Sequence, residues 1–337
     1  MEHGFLRDII DHPDDDAPRL IYADWLDDHG RPERAEFIRV QCELARLPSG
    51  APLRGALQAR EAELLKAHER SWVPADRLAL FFEWRRGFVT ALKPCARGIF
   101  AGEDSLKVLA EFPFTEELEF SFCMGDEEFQ YMPDLPILRA FGIGGNVRVT
   151  AASLARIGRW RTLRRLRLTG DEVTDNALSH LAALVELRDL DLSYSEVTDA
   201  GLPRLAPLTA LESLDLSETG VTGSGLDALR ALPRLRRLNL SNTRVWDHGI
   251  DGLVGCRSLE ELRLESHYQD RPLRDVDLAP LERLPALRIL DLGWWCEPSD
   301  IFLATLRRSL SIQELWYNGA KHGEAGAVAA GGRIPPF

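Results

Sequence analysis

The acidic run Asp14-Asp15-Asp16, with His12 beside it and Asp24, Asp27, Asp28 and His29 close behind, is the first group that could do chemistry, as a metal site or an acid–base pair. A metal needs ligands converging from fixed spacings, and no second histidine stands at ligand spacing. Asp16 therefore reads as a helix cap and the others as a solvated acidic face. The chain has no HExxH, no GxxxxGK[ST] and no GxSxG. Gly142-Ile143-Gly144-Gly145-Asn146-Val147 comes nearest to a phosphate loop but lacks the third glycine, and it sits where a strand is due; Gly142 and Gly144 would at most leave backbone open to a ligand. Cys42, on an apolar helix side, is a small core hydrophobe rather than a nucleophile. Tyr22, Asp24, Trp25, Glu36 and Arg39 mix aromatic and polar groups on two adjacent helices. Packing and pairing of those helices accounts for them, with Trp25 in the core; a small-molecule or peptide pocket is the alternative. No catalytic residue, metal or cofactor is assigned.

One constellation suits binding. Arg165, Arg167, Asp189, Asp191, Tyr194, Asp215, Arg237, Asn239, Arg263, Asp291, Trp294 and Trp316 fall on or beside the outward places of successive short strands. Asp189, Asp191 and Asp215 form an acidic centre that would favour a basic or amide-rich partner. Trp246, His267, Tyr268, Trp294, Trp295, Trp316 and Tyr317 gather towards the C-terminal end. Aromatic groups on such a surface either anchor a partner or cover the open end of an apolar core.

The elements that must position these residues come from a repeat. A pattern of 24 residues restarts at Leu163, Leu187, Leu211 and Leu235, with leucine at the first, fourth and sixth places and valine at the eleventh. Leu190 and Leu192 are two apart and share one face of a strand, leaving Asp189, Asp191 and Ser193 on the other. The spacing then becomes three, with Leu202, Leu205 and Leu208 on one side of a helical stretch that Thr198 and Asp199 would start. Gly201, Gly225 and Gly249 share the fifteenth place, where either the neighbouring coil leaves no room for a side chain or a turn demands glycine. One unit cannot bury its leucines alone; stacked units can. The pattern resembles the leucine-rich repeat family, and its VTDxGLxxL half looks like the type with a helical convex side found in bacteria. That resemblance implies an α/β solenoid, a horseshoe with a parallel concave sheet.

Irregular copies extend the repeat. GFVTALKP (87–94), TEELEFSF (115–122) and LRAFGIGG (138–145) are expected strands before it, and coils beginning at Leu259, Leu287 and Ile312 follow it. Ahead of these, apolar spacing and proline positions predict four helices, over 2–12, from Asp16 to Gly30, 32–47 and 53–72. The stretch DAPRLIYADWLDDHGRPERAEFIRVQCELARL (16–47) resembles the repeat-companion domain that precedes leucine-rich repeats in some bacterial proteins; the resemblance implies no established activity. The expected organisation is a small α-helical domain at 1–72 and a solenoid at 73–318, irregular over 73–162, regular over 163–258 and irregular over 259–318. A Gly/Ala-rich tail, expected to be mobile, occupies 319–337.

Composition bounds the function. The 337 residues are 45% hydrophobic and 28% charged, with formal charge −12 at pH 7, a balance that opposes nucleic acid or anionic membrane as partner. Five scattered cysteines without a CxxC give neither a disulfide framework nor a zinc site. No leader or spanning segment is legible, so a cytoplasmic monomer is expected. The reading is a non-catalytic protein- or peptide-binding scaffold; the alternative is an accessory or substrate-recognition subunit of a modifying enzyme, with the helical domain contributing a site.

Overall fold

The computed structural model describes residues 2–73, 80–94, 106–120, 124–144, 149–170, 172–265, 273–293, 297–310, 312–317, 320–322 and 328–330. The chain divides into two compact units, Met1–Phe122 with Tyr131–Ala140, and Cys123–Gln130 with Phe141–Phe337.

In the first unit, helices α1 (Glu2–Asp11), α2 (Ala17–Asp28), α3 (Pro32–Arg46) and α4 (Arg54–Trp72) fall on the expected amphipathic segments. Pro18 and Pro32 sit in first turns, where a missing N–H costs nothing. The helices share a core with a β-hairpin, in which Ile9, Leu26, Ile38, Cys42 and Phe88 meet. The hairpin, β1 (Leu80–Arg85) and β2 (Phe88–Pro94), is antiparallel, and its first strand is an element the repeat spacing does not announce. Its turn is Arg86-Gly87, with φ 51° and 88°. Two positive φ values suit the twist of a tight hairpin, and at Gly87 a Cβ would also collide with Ile38. Strand β3 (Glu117–Phe120) pairs parallel with β2, Leu92 opposite Leu118. Asp16 does not cap α2. Its carboxylate is buried and reaches Arg46 Nε at 2.9 Å and Arg86 Nε at 3.2 Å, because two guanidinium groups outbid one backbone N–H.

Strand β4 (Ala140–Ile143) occupies the glycine-containing stretch read as a strand rather than a phosphate loop; Gly145 to Val147 of that motif lie outside the described residues. In the second unit, β5 (Arg165–Leu168), β6 (Asp189–Asp191), β7 (Ser213–Asp215), β8 (Arg237–Asn239), β9 (Glu261–Arg263), β10 (Ile289–Asp291) and β11 (Glu314–Tyr317) pair in parallel in chain order. The register aligns Leu166, Leu190, Leu214, Leu238, Leu262, Leu290 and Leu315 in one buried column. Each such leucine adds about 1.5–3 kcal/mol of burial. The returning arms Leu202–Leu205 and Leu226–Ala231 are 3-10 helices, whereas Ala151–Ile157 and Asp300–Ser309 are α-helical. A spacing of three suits the 3.0 residues per turn of a 3-10 helix.

Thr198 and Asp199 do more than start their own arm: they tie coils together. Thr198 donates through its N–H and hydroxyl to Asp175 at 2.8 and 2.6 Å, and Thr222 does the same to Asp199 at 3.0 and 2.6 Å. Thr150 on Asp126 and Ser299 on Asp275 repeat the arrangement. The ladder settles the fifteenth place. A Cβ at Gly201 would run into the Asp175 carboxylate, and one at Gly225 would lie 2.7 Å from Asp199 Cβ, so the neighbouring coil excludes a side chain at both. At Gly249 a Cβ would meet only Asp251 Oδ2, at an ordinary 3.7 Å, but φ is +81°, so there the turn is the reason. In the tail, Ala320–His322 (β12) and Val328–Ala330 (β13) are not loose chain; they pair antiparallel, β12 with β11 and β13 with β12.

Candidate functional site

The outward places of β5 to β11 form one polar face, and its charges are largely matched within it. Arg167 Nε meets Asp191 Oδ2 at 3.0 Å between neighbouring strands. Arg237 reaches across β7 to Asp189 Oδ1 at 2.9 Å. Arg263 pairs with Glu261 on its own strand at 2.8 Å. Arg165 is exposed at the edge of the row.

The three carboxylates of the acidic centre are not equivalent. Asp189 and Asp191 stay partly exposed, whereas Asp215 is 8% exposed and accepts from Ser217 N, Ser217 Oγ and Asn239 Nδ2 at 2.8, 2.6 and 2.9 Å. Burial pushes its pKa up; the Ser217 and Asn239 hydrogen bonds pull the other way, and Asp191 adds to the rise. Asp215 and the equally buried Asn239 are therefore strand-end supports rather than open surface, and the acidic centre narrows to two residues. The same device recurs: Asp191 Oδ1 accepts from Ser193 N, Asn239 Oδ1 from Ser241 N, and Asp291 Oδ1 from Gly293 N. The Asp/Asn-Leu-Ser/Gly spacing is its sequence signal.

Tyr194 stands out beside this pair. It is 62% exposed and has φ +58°, a conformation shared at the same repeat place by Glu218 and Asn242, with φ +57° and +54°. Asparagine tolerates that region; a bulky tyrosine is held there at a cost of about 1–2 kcal/mol. The preceding coil has Gly170 at this place. At the far end Trp316 is half-buried, its indole N–H 3.4 Å from Glu314. Trp294, Trp295, His267 and Tyr268 lie outside the described residues.

In the first unit the candidate residues pair with one another or with neighbouring helices. Arg39 bridges Asp24 and Asp27 at 2.6 and 2.7 Å, joining α3 to α2, and Glu36 holds Arg60 of α4 at 2.7 Å. Tyr22 is buried and donates to Glu2 at 2.7 Å; burial first, then that carboxylate, pushes its hydroxyl up to about 12. Trp25 is only partly buried, between Phe5, Tyr22 and His29, because it sits at the margin of the helical core. A cleft of about 450 Å³ opens instead beside the other end of α3, lined by Gln41, Arg54, Trp84, Arg86 and Arg139 among others. Two of its arginines are held within the fold: Arg139 grips Asp14 through two bonds of 3.0 and 2.7 Å, and Arg54 caps the carbonyls of Leu44 and Leu47. Cys42 and Cys256 are buried free thiols, pushed by burial to about 12 and about 11. Among the described residues no group of His, Cys, Asp and Glu could hold a metal ion, and no helix is long and apolar enough to cross a membrane.

With the coil register, the leucine column and the inter-coil ladder in place, comparison with known proteins is direct. Residues 187–206 and 208–229 match the leucine-rich repeat family model. The fold is an α/β leucine-rich-repeat solenoid with a helical N-terminal region. Among solved structures, an internalin (inlF) from Listeria monocytogenes is similar at 15% identity and TM-score 0.39, over 60% of this chain and 68% of that one. TLR13, solved in a complex with ssRNA13, is similar at 19% identity and TM-score 0.41, over 56% of this chain and 30% of that one. The search of curated proteins found no match.

Proposed function

We propose that the protein is a non-catalytic binding scaffold whose solenoid sheet takes a protein or peptide across β5 to β8, and that residues 16–47 form the repeat-companion domain of a bacterial leucine-rich repeat protein. Tyr194 carries the binding part of this reading. A large aromatic ring, exposed and held in a backbone conformation that disfavours it, is a residue kept for contact rather than for stability. Asp189 and Asp191 lie beside it, and the cations now opposite them are the fold's own Arg237 and Arg167. A basic or amide-rich segment takes the place of those guanidinium groups and stacks on Tyr194, and the displaced arginines turn to the segment's acidic or carbonyl groups.

The test is selection of peptides from a displayed library on the full chain, followed by hydrogen exchange. Selected sequences rich in Lys, Arg, Asn or Gln, with protection confined to the segments around 189–194 and lost in Asp189→Arg/Asp191→Arg, support the proposal. Protection elsewhere, or binding indifferent to that double variant, refutes it.

A further inference from the structure

The strongest charge anomaly in the sequence lies ahead of the acidic centre. In a chain of net charge −12, residues 156–167 carry six arginines, and no acidic residue occurs between Asp134 and Asp171. Tight turns aim several of them outward. Trp160 N bonds to Ile157 O and Leu163 N to Trp160 O, which turns Trp160 and Leu163 into the core and leaves Arg159 and Arg161, on either side of Trp160, exposed.

Arg164 follows at the place where later coils alternate in charge. There Arg188 faces Glu212 at 3.9 Å and Arg236 faces Glu260 at 3.3 Å. At the start of the row the alternation fails, because Arg164 stands next to another arginine, Arg188, whose N–H bonds to its carbonyl. Among the described residues, no carboxylate lies at ion-pair distance from Arg159, Arg161 or Arg164. Arg159 also lines a hollow of about 240 Å³ with Arg156, and the exposed Arg165 and Arg167 continue the basic stretch onto β5. The Arg159, Arg161 and Arg164 guanidinium groups, with no carboxylate at ion-pair distance among the described residues, are spare donors for carboxylates, with fork geometry suited to them.

We infer that this arginine cluster docks an acidic polypeptide segment, a second interaction surface distinct in chemistry from the Asp189–Asp191 site. Two observations favour a polypeptide over a nucleic acid. Trp160, the aromatic residue of the stretch, is buried, so it offers bases no stacking platform. The face also turns acidic on the next strand, at the part-exposed Asp189 and Asp191, so a long polyanion would meet repulsion where a short acidic segment ends.

The experiment is fluorescence anisotropy of a short labelled peptide of alternating Glu and Ser against the full chain. Saturable binding that weakens as salt rises from about 50 to about 200 mM is expected. Arg159→Glu/Arg161→Glu/Arg164→Glu should weaken it roughly tenfold or more, while the control reversals Arg283→Glu/Arg307→Glu/Arg308→Glu change it less than about twofold. Circular dichroism checks that the variants fold; should the reversal set not fold, Arg159→Gln/Arg161→Gln/Arg164→Gln must still lose about threefold. Absence of binding to the unmodified chain, an equal loss in the control set, or tighter binding of single-stranded oligo-dT than of the peptide each overturns the inference.

Discussion

At the scale of single residues, solvent access separates side chains that look alike in the repeat. Asp191 and Asp215 hold the same repeat place and make the same bonds to a serine two residues on, yet Asp191 is part-exposed beside Arg167 and Asp215 is buried beside Asn239. Asp215→Arg should therefore destabilise the fold by about 3–5 kcal/mol, because it buries an unpaired guanidinium and strips Ser217 and Asn239 of their acceptor. Asp191→Arg should cost about 1 kcal/mol. Urea melts of the two variants distinguish them, and equal losses would contradict the difference in burial. Tyr194→Asn tests the link between strain and contact: asparagine is at ease with φ near +58°, so stability should rise by about 0.5 kcal/mol while peptide binding falls. A variant that binds as tightly as the unmodified chain would remove Tyr194 from the site.

At the scale of elements, short strands and one-turn arms cannot stand alone, and what holds coil to coil is the leucine column together with the Asp–Thr ladder. Burial pushes the Asp199 carboxyl up, but hydrogen bonds from the Thr222 hydroxyl and the Gly225 and Thr222 N–H groups outweigh it and hold its pKa below the usual carboxylate range. A depressed folded pKa means that this stabilisation is present above the unfolded value and lost as pH falls through the folded one. Asp199→Ala should therefore lower stability by about 2 kcal/mol at neutral pH, and the difference should shrink as pH falls through and below the usual carboxylate range. Thermal melts of both proteins across that range check the sign; a pH-independent gap would place the effect in packing instead. The ladder was hidden in plain view. Thr198 and Asp199 are adjacent residues that a helix start also favours, and only the 24-residue pitch of the coils brings Thr198 to Asp175 and Asp199 to Thr222.

At the scale of the molecule, a net charge of −12 coexists with a six-arginine stretch and with an open face that neutralises most of its own charge. Such a chain should remain a monomer at micromolar concentration, which light scattering measures; a concentration-dependent dimer would show the basic stretch meeting an acidic face of a second copy.

The sequence by itself determined the solenoid, since leucines two apart and then three apart can be buried only by stacked strand-and-turn coils, and it determined the four N-terminal helices through apolar spacing and proline positions. It did not determine which polar residues are open. Tertiary structure alone decided that Asp215 is a buried support, that Arg237 crosses a strand to Asp189, that Arg159, Arg161 and Arg164 have no carboxylate at ion-pair distance among the described residues, and that a hairpin strand joins the helices. The physical reason is that periodicity reports which side of an element faces the core, whereas the partner of a charge depends on the distance between residues on different coils, which the chain acquires only when it is stacked.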